Sequence, residues 1–221
     1  MKSPPARSGF VGGRAMRKWM LAGCITGICT ICGTAAAQVA PGFGAQGQLA
    51  ISAERLFGVE YARASFDPPG NAPSYYHSST IIGFGWSYQG LASSFIQPRA
   101  GIDYFVVNNL SLGGAIGLYS GAGHDAQVGD TGFLFSPRVG YAVDLGSVAS
   151  FWPRGGVTYY SHGDYHNVGL SGEATFALFP RPNWAFLIQP NIDVGPFGGA
   201  PGDTSFTEVA FGVSFGMMGV I

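Results

Sequence analysis

Residues Phe133 to Leu145 read FLFSPRVGYAVDL, and they separate cleanly when taken two at a time. One face carries Phe133, Phe135, Pro137, Val139, Tyr141, Val143 and Leu145; the other carries Leu134, Ser136, Arg138, Gly140, Ala142 and Asp144. A period of two is the strand period, so the stretch predicts one long strand with an apolar face and a small, polar or charged face.

The same split recurs on both sides. Upstream, Phe95 to Val107 sets Ile96, Pro98, Ala100, Ile102, Tyr104 and Val106 against Gln97, Arg99, Gly101 and Asp103. Asn108-Asn109 is a tight turn of the positive-φ kind, and Leu110 to Ser120 returns with the same alternation. Downstream, strands are expected at 151–161, 168–179, 184–195 and 205 to about 217. A first strand is expected from about Gln48 to Ser65, with Ile51, Phe57, Val59 and Tyr61 on its apolar face. Arg55 and Arg63 fall on that same face near either end, where long side chains snorkel to an interface.

These eight strands are joined by connections that alternate in length. The segments 66–94, 121–131, 162–167 and 196–204 are long; 108–109, 146–150 and 180–183 are short. Transmembrane barrels show this pattern, with short periplasmic turns and longer external loops. Thr80 to Tyr88 has some strand character and is placed inside the first external loop to keep the parity even, with ten strands as the alternative.

Composition bounds the reading. The 221 residues include 36 Gly, with 14% aromatic and only 10% charged residues, against about 25% charged in ordinary soluble domains. After residue 37 no apolar run reaches the roughly 20 residues of a membrane helix. From Gln38 onward there is no Lys and no Cys, and six Arg face twelve acids for a formal charge of −6. A water-facing surface of this size normally uses lysine.

Residues 1–37 read as a secretory signal: Arg14, Arg17 and Lys18, then the apolar Trp19 to Cys32, then Ala35-Ala36-Ala37 before Gln38. Met16 begins a more compact version of the same signal. Leu21-Ala22-Gly23-Cys24 resembles a lipoprotein processing box, but the apolar run before Cys24 is short and continues past it. Cys29-Thr30-Ile31-Cys32 has redox or metal spacing without a second pair, and reads as ordinary signal sequence. Residues 38–47 are Gly- and Ala-rich and are expected to form a flexible periplasmic leader; 48–221 form the barrel.

Alternation alone does not say which face is outside, since a soluble lipocalin-like barrel has the reverse arrangement. The missing lysines, the Gly, Ala and Ser of the polar face, and aromatics near strand ends (Phe95, Tyr104, Phe133, Tyr141, Phe151, Tyr159, Trp184) favour apolar outside. The interior then collects Glu54, Glu60, Arg99, Asp103, Arg138, Asp144, Arg154, Glu173, Asp193 and Glu208. Eight strands enclose a lumen that side chains fill, so a structural ion-pair network is expected, in preference to an ion or proton path. The surplus of acids points to protonated groups or groups at the mouths. Pro98, Pro137, Pro153 and Pro190 fall on the outward face of strands, where bulges or boundary positions are expected.

With its signal segment, eight dyad-patterned strands and units such as PRAGIDYF and PRVGYAVDL, the chain resembles the small bacterial outer-membrane β-barrels of the OmpA/OmpX transmembrane type, over about Gln46 to Ile221. The resemblance implies the outer membrane as location, membrane lipid and lipopolysaccharide as surroundings, the barrel-assembly machinery as a partner during insertion, and a monomer. Such barrels typically end in an aromatic residue; this chain ends Met217-Met218-Gly219-Val220-Ile221, and Phe215 stands as the equivalent. No peptidoglycan-binding region follows, so no tethering role is expected.

Some barrels of this kind are enzymes, which need an activated nucleophile or water. The four histidines are His77, His124, His162 and His166, and Ser161-His162-Gly163-Asp164-Tyr165-His166 is the densest cluster. Neighbours on one loop do not make a triad, and two His with one Asp are incomplete for zinc. No cofactor, metal or catalytic residue is expected, and Gly113-Gly114 lies on a strand, so nucleotide and nucleic-acid binding are not expected either. The expectation is a non-enzymatic barrel with a structural or surface-interaction role. The aromatic residues Tyr75, Tyr76, Phe84, Trp86 and Tyr88 are its candidate contact surface. A narrow channel, a lipid-modifying enzyme and a secreted soluble barrel are the alternatives.

Overall fold

The computed structural model describes residues 42–84, 95–120 and 131–221. The expected signal 1–37, together with Trp86, Tyr88 and His124, lies outside the described residues. The strands are β1 (Leu49–Asp67), β2 (Tyr75–Phe84), β3 (Arg99–Val107), β4 (Leu110–Ser120), β5 (Thr131–Tyr141), β6 (Val143–Asp144), β7 (Ala149–His162), β8 (Tyr165–Arg181), β9 (Trp184–Ala200) and β10 (Thr204–Val220).

Each strand pairs antiparallel with its neighbour, and β10 returns to pair with β1 from Ala50–Val220 to Asp67–Ser205. The two-residue β6 carries β5 onward past Ala142, and both pair with β7. The closed ring therefore has eight members. β2 is not a ninth: Leu49–Glu54 of β1 pair with β3, while Phe57–Phe66 pair with β2. The strand character expected at 80–88 thus appears earlier, at Tyr75–Phe84.

The β10–β1 pairing closes the ring, while β2 pairs with β1 alone among the described residues. Closure also sets the polarity. Inward positions are buried and outward positions are exposed, most regularly in β5, whose residues alternate without exception from Thr131 to Tyr141. The exposed large residues include Ile102, Leu112, Ile116, Phe135, Val139, Phe186, Ile192 and Phe211, on strands all round the ring. An apolar belt of that extent is far beyond what a water-facing monomer shows. Among the described residues no helix is long and apolar enough to cross a membrane, so any crossing is made by strands.

Short turns at 108–109, 145–148 and 182–183 lie at the end of the ring where the last residue sits; we call this the terminal end. Two connections expected to be long are not. Gly163-Asp164 is a two-residue turn, and residues 201–203 replace the expected loop 196–204. The ladder continues there, with Ser161 paired to His166 and His162 to Tyr165, because backbone pairing outlasts the apolar pattern once strands leave the belt.

The leader also differs from expectation. Its described residues, 42–47, are held at the terminal end: the Asn109 amide donates to the Gly44 carbonyl at 2.6 Å, and the Gly47 amide to the Phe105 carbonyl at 2.9 Å. At the chain's other extremity, β10 runs to Val220 and the Ile221 amide still donates to the Leu49 carbonyl at 2.9 Å, so the last strand extends past the expected Met217.

The candidate functional site: an ion-pair plug in the lumen

Three arginines of the lumen follow proline in the sequence, as Pro98-Arg99, Pro137-Arg138 and Pro153-Arg154, and the strand period turns each inward from β3, β5 and β7. The fourth is Arg55. Strict alternation would point it outward, yet it is 2% exposed. The reason is a bulge. Ala53 pairs with Met217 and Phe57 with Phe215, so β1 carries two more residues than β10 across this interval, and Arg55 takes a left-handed φ of 52°. Glu54 and Arg55 consequently both face inward, and the expectation that Arg55 snorkels outward is overturned. Arg63, by contrast, is exposed, with its guanidinium 4.6 Å from the centre of the Tyr76 ring.

The four arginines meet four carboxylates. Glu54 is the hub: both its oxygens accept from Arg138 at 2.7 Å, Oε1 also accepts from Arg154 at 2.6 Å, and Oε2 from Arg99 Nε at 3.3 Å. The Ser52 hydroxyl adds a bond of 2.6 Å. Asp103 holds Arg138 through two bonds of 3.0 and 2.5 Å. Glu173 pairs with Arg99, with Arg154 at 2.6 Å and with Arg55 at 3.2 Å. Asp193 holds Arg55 at 2.8 Å, whose Nη1 also donates to the Phe95 carbonyl at 2.6 Å. All eight side chains are at most 3% exposed, so each charge depends on its partners.

Small residues make room for these heads. A Cβ on Gly101 would lie 2.5 Å from Arg138 Nη2, and one on Gly140 would lie 2.5 Å from Trp152 Nε1. Aromatic rings bound the plug on both sides. Toward the terminal end Trp152 lies under the Arg154 guanidinium at 4.4 Å and donates to Ser111 Oγ at 3.1 Å. Toward the opposite end Phe95 is fully buried, its ring against Gly169 and Gly195 of the facing strands. Phe95 was expected among the outward aromatics. It precedes β3, which begins only at Arg99, so the strand alternation does not govern it.

The remaining acids separate from the plug. Glu60 accepts from Asn191 at 2.8 Å and Glu208 from Asn167 at 2.9 Å, both deeply buried. Asp144 lies at the terminal mouth, apart from the plug: it is exposed on β6 and accepts from the buried Ser150 at 3.0 Å. A water-sized gap inside the plug is lined by Arg99, Arg138, Arg154, Ser136, Ser171 and Glu173.

With a closed ring, an apolar exterior and a charged interior, the polarity is settled. The fold is a transmembrane β-barrel. No protein-family model and no curated sequence matches the chain. Among solved structures it is similar to the outer membrane protein OprG from Pseudomonas aeruginosa, at 10% identity and a TM-score of 0.43 over 79% of this chain and 96% of that one. It is similar to Neisserial surface protein A, at 12% identity and 0.42, over 79% and 99%. It is also similar to Ail, the attachment invasion locus protein of Yersinia pestis, at 13% identity and 0.29, over 77% and 99%.

The other candidate positions are placed by the barrel as follows. Tyr75, Tyr76 and Phe84 are exposed on β2. Tyr75 stacks on Phe66 at 5.1 Å, which contacts Phe206 at 5.3 Å, and Phe84 lies 5.8 Å from Phe57. His77 is exposed on β2. His162 packs toward Gly132 on β5 and His166 toward Gly199 on β9, so the two rings are directed to different neighbours and Asp164 stays in the exposed turn. Among the described residues no group of three His, Cys, Asp or Glu is arranged to hold a metal.

Proposed function

We propose that the chain is an integral, non-enzymatic barrel of the bacterial outer membrane, exported by residues 1–37, with a lumen closed by its ion-pair plug. The observation that carries this reading is the plug itself: four arginines and four carboxylates cross-linked at the centre of an eight-stranded ring. Such a ring is just wide enough to be filled by side chains, and here charged groups fill it. The role left to the molecule lies on its outside. Lipid and lipopolysaccharide cover the belt, the assembly machinery inserts it, and the exposed Tyr75 and Tyr76 of β2 form the surface for recognition. The barrel acts as a monomer in this reading, closed on itself by the β10–β1 pairing.

Membrane fractionation of the expressed chain, followed by gel migration with and without boiling, tests location and fold together. Recovery with the outer membrane and a boiling-dependent shift is expected; recovery as a soluble protein with no shift sinks the reading. Planar-bilayer recording tests the plug separately, with no steady ion conductance expected.

A further inference from the structure

Phe43 stands ahead of the first strand, yet it is only 8% exposed. Its ring lies inside the terminal end of the lumen, 5.1 Å from Phe105, 5.2 Å from Trp152 and 5.2 Å from Phe179, centre to centre. Four inward positions in this cluster are small, Ala50, Ala142, Ala177 and Ala185, all fully buried, beside the larger Phe105, Trp152, Leu187 and Met218. Interiors are close-packed, and the space left beside these four alanines needs a side chain to fill it. Phe43 occupies that space, as arginine heads occupy the lumen farther in.

The backbone around Phe43 is shaped for the purpose. Gly44 and Gly47 take φ of 102° and 90°, which let the segment reverse over the mouth before entering β1. The amides of Gly44 and Ala45 donate to Gln48 Oε1 at 2.9 and 3.2 Å. The Gln46 amide donates to Asn108 Oδ1 at 3.0 Å and its side chain to the Val106 carbonyl at 3.1 Å. With the Gly44–Asn109 bond, these tie the segment to the β3–β4 turn.

We propose that Gly42–Gln46 is a stopper, a strap separate from the wall that seals the terminal mouth and keeps water from the ion pairs behind it. It goes beyond the closed-lumen reading. The plug blocks passage through the ring; the stopper sets whether one side of that plug is wet. Trp152 is the layer between them, touching Phe43 on one side and Arg154 on the other. Excluding water there keeps the ion pairs strong, because a low local dielectric strengthens paired charges. Gly47 and Gln48 already exchange backbone bonds with Phe105 of β3, but Gly42–Gln46 is held by a few hydrogen bonds and one ring and opens without breaking that pairing, so this mouth can become hydrated while the barrel stays closed.

A single thiol reports the state of the mouth. The only native cysteines are Cys24, Cys29 and Cys32, which are exchanged for alanine in the full chain. Ser111→Cys then places the reporter beside Trp152, at a fully buried position. A charged, membrane-impermeant maleimide is applied to the reconstituted protein. Labelling is expected to be at least about tenfold faster with Phe43→Gly than with Phe43, as local opening governs access. Phe43→Leu is expected to restore protection, because it refills the hole. Equal rates with Phe43 and Phe43→Gly overturn the proposal. The boiling shift reports whether the glycine variant folds. If it does not, amide exchange in the parent protein decides: Asn109, whose amide donates to the Gly44 carbonyl of the strap, is expected to exchange slowly, and fast exchange there overturns the stopper.

Discussion

Arg55 shows what one residue can do to a pattern. Two extra residues in β1 turn it from the lipid face into the plug, where it is the cation for Asp193. The alternation made Glu54, Glu60, Arg99, Asp103, Arg138, Arg154, Glu173, Asp193 and Glu208 legible as inward groups, because each sits on a strand without a bulge beside it or on the correct side of one. It misplaced Arg55 and Phe95, each at a point where regular pairing is interrupted or has not begun. Which charges pair was not legible, since partners come from strands far apart in the chain. Losing one member of a buried pair strands the others, so Glu54→Gln is expected to lower the unfolding free energy by about 3–5 kcal/mol, read from urea unfolding in micelles. Among the described residues Glu60 makes one hydrogen bond, from Asn191, and no ion pair with the arginines, though its charge acts on nearby Arg55. Glu60→Gln is therefore expected to cost about 1–2 kcal/mol, less than Glu54→Gln. Equal costs for the two would refute the division between plug and periphery.

At the scale of elements, the outward prolines have an unexpected solution. The bulges lie elsewhere, and the register simply skips. Phe135 pairs with Tyr159 and Arg138 with Gly156, with no pairing between them at Pro137. On β8 and β9, Glu173 pairs with Asn191 and Phe176 with Ile188, skipping Pro190 in the same way. Proline lacks the amide that the ladder would use there. Across the first gap, the Ser136 and Thr158 hydroxyls bridge β5 and β7 from inside at 2.8 Å, and Thr158 reaches on to Ser171 of β8 at 2.6 Å. Thr158→Val breaks both rungs and is expected to destabilise by about 1–3 kcal/mol, more than Thr→Val at the exposed Thr207. The lipid face makes its own prediction. Ile116 is exposed on β4 within the belt, so Ile116→Arg is expected to cost about 2–4 kcal/mol in bilayers. A negligible cost in the same unfolding assay would mean that this face meets water.

For the whole molecule, ring closure is the deciding event. If the plug alone closes the lumen, Glu54→Ala combined with Arg138→Ala is expected to raise planar-bilayer conductance above the silent parent, by removing the hub and its bidentate partner. Continued silence with an intact boiling shift would assign closure to the aromatic layers of Phe95 and Phe43. The sequence by itself determined the strand period, the number of ring members, the apolar exterior and most of the inward charges, because a strand's two faces are written into alternate residues. Only the tertiary structure decided the rest: that β2 stands beside the ring, that Arg55 turns inward, which acid meets which arginine, and that Phe43 enters the mouth. These depend on register and on distances between strands remote in sequence, and a bulge or a skipped pair changes them without leaving a mark in the local alternation.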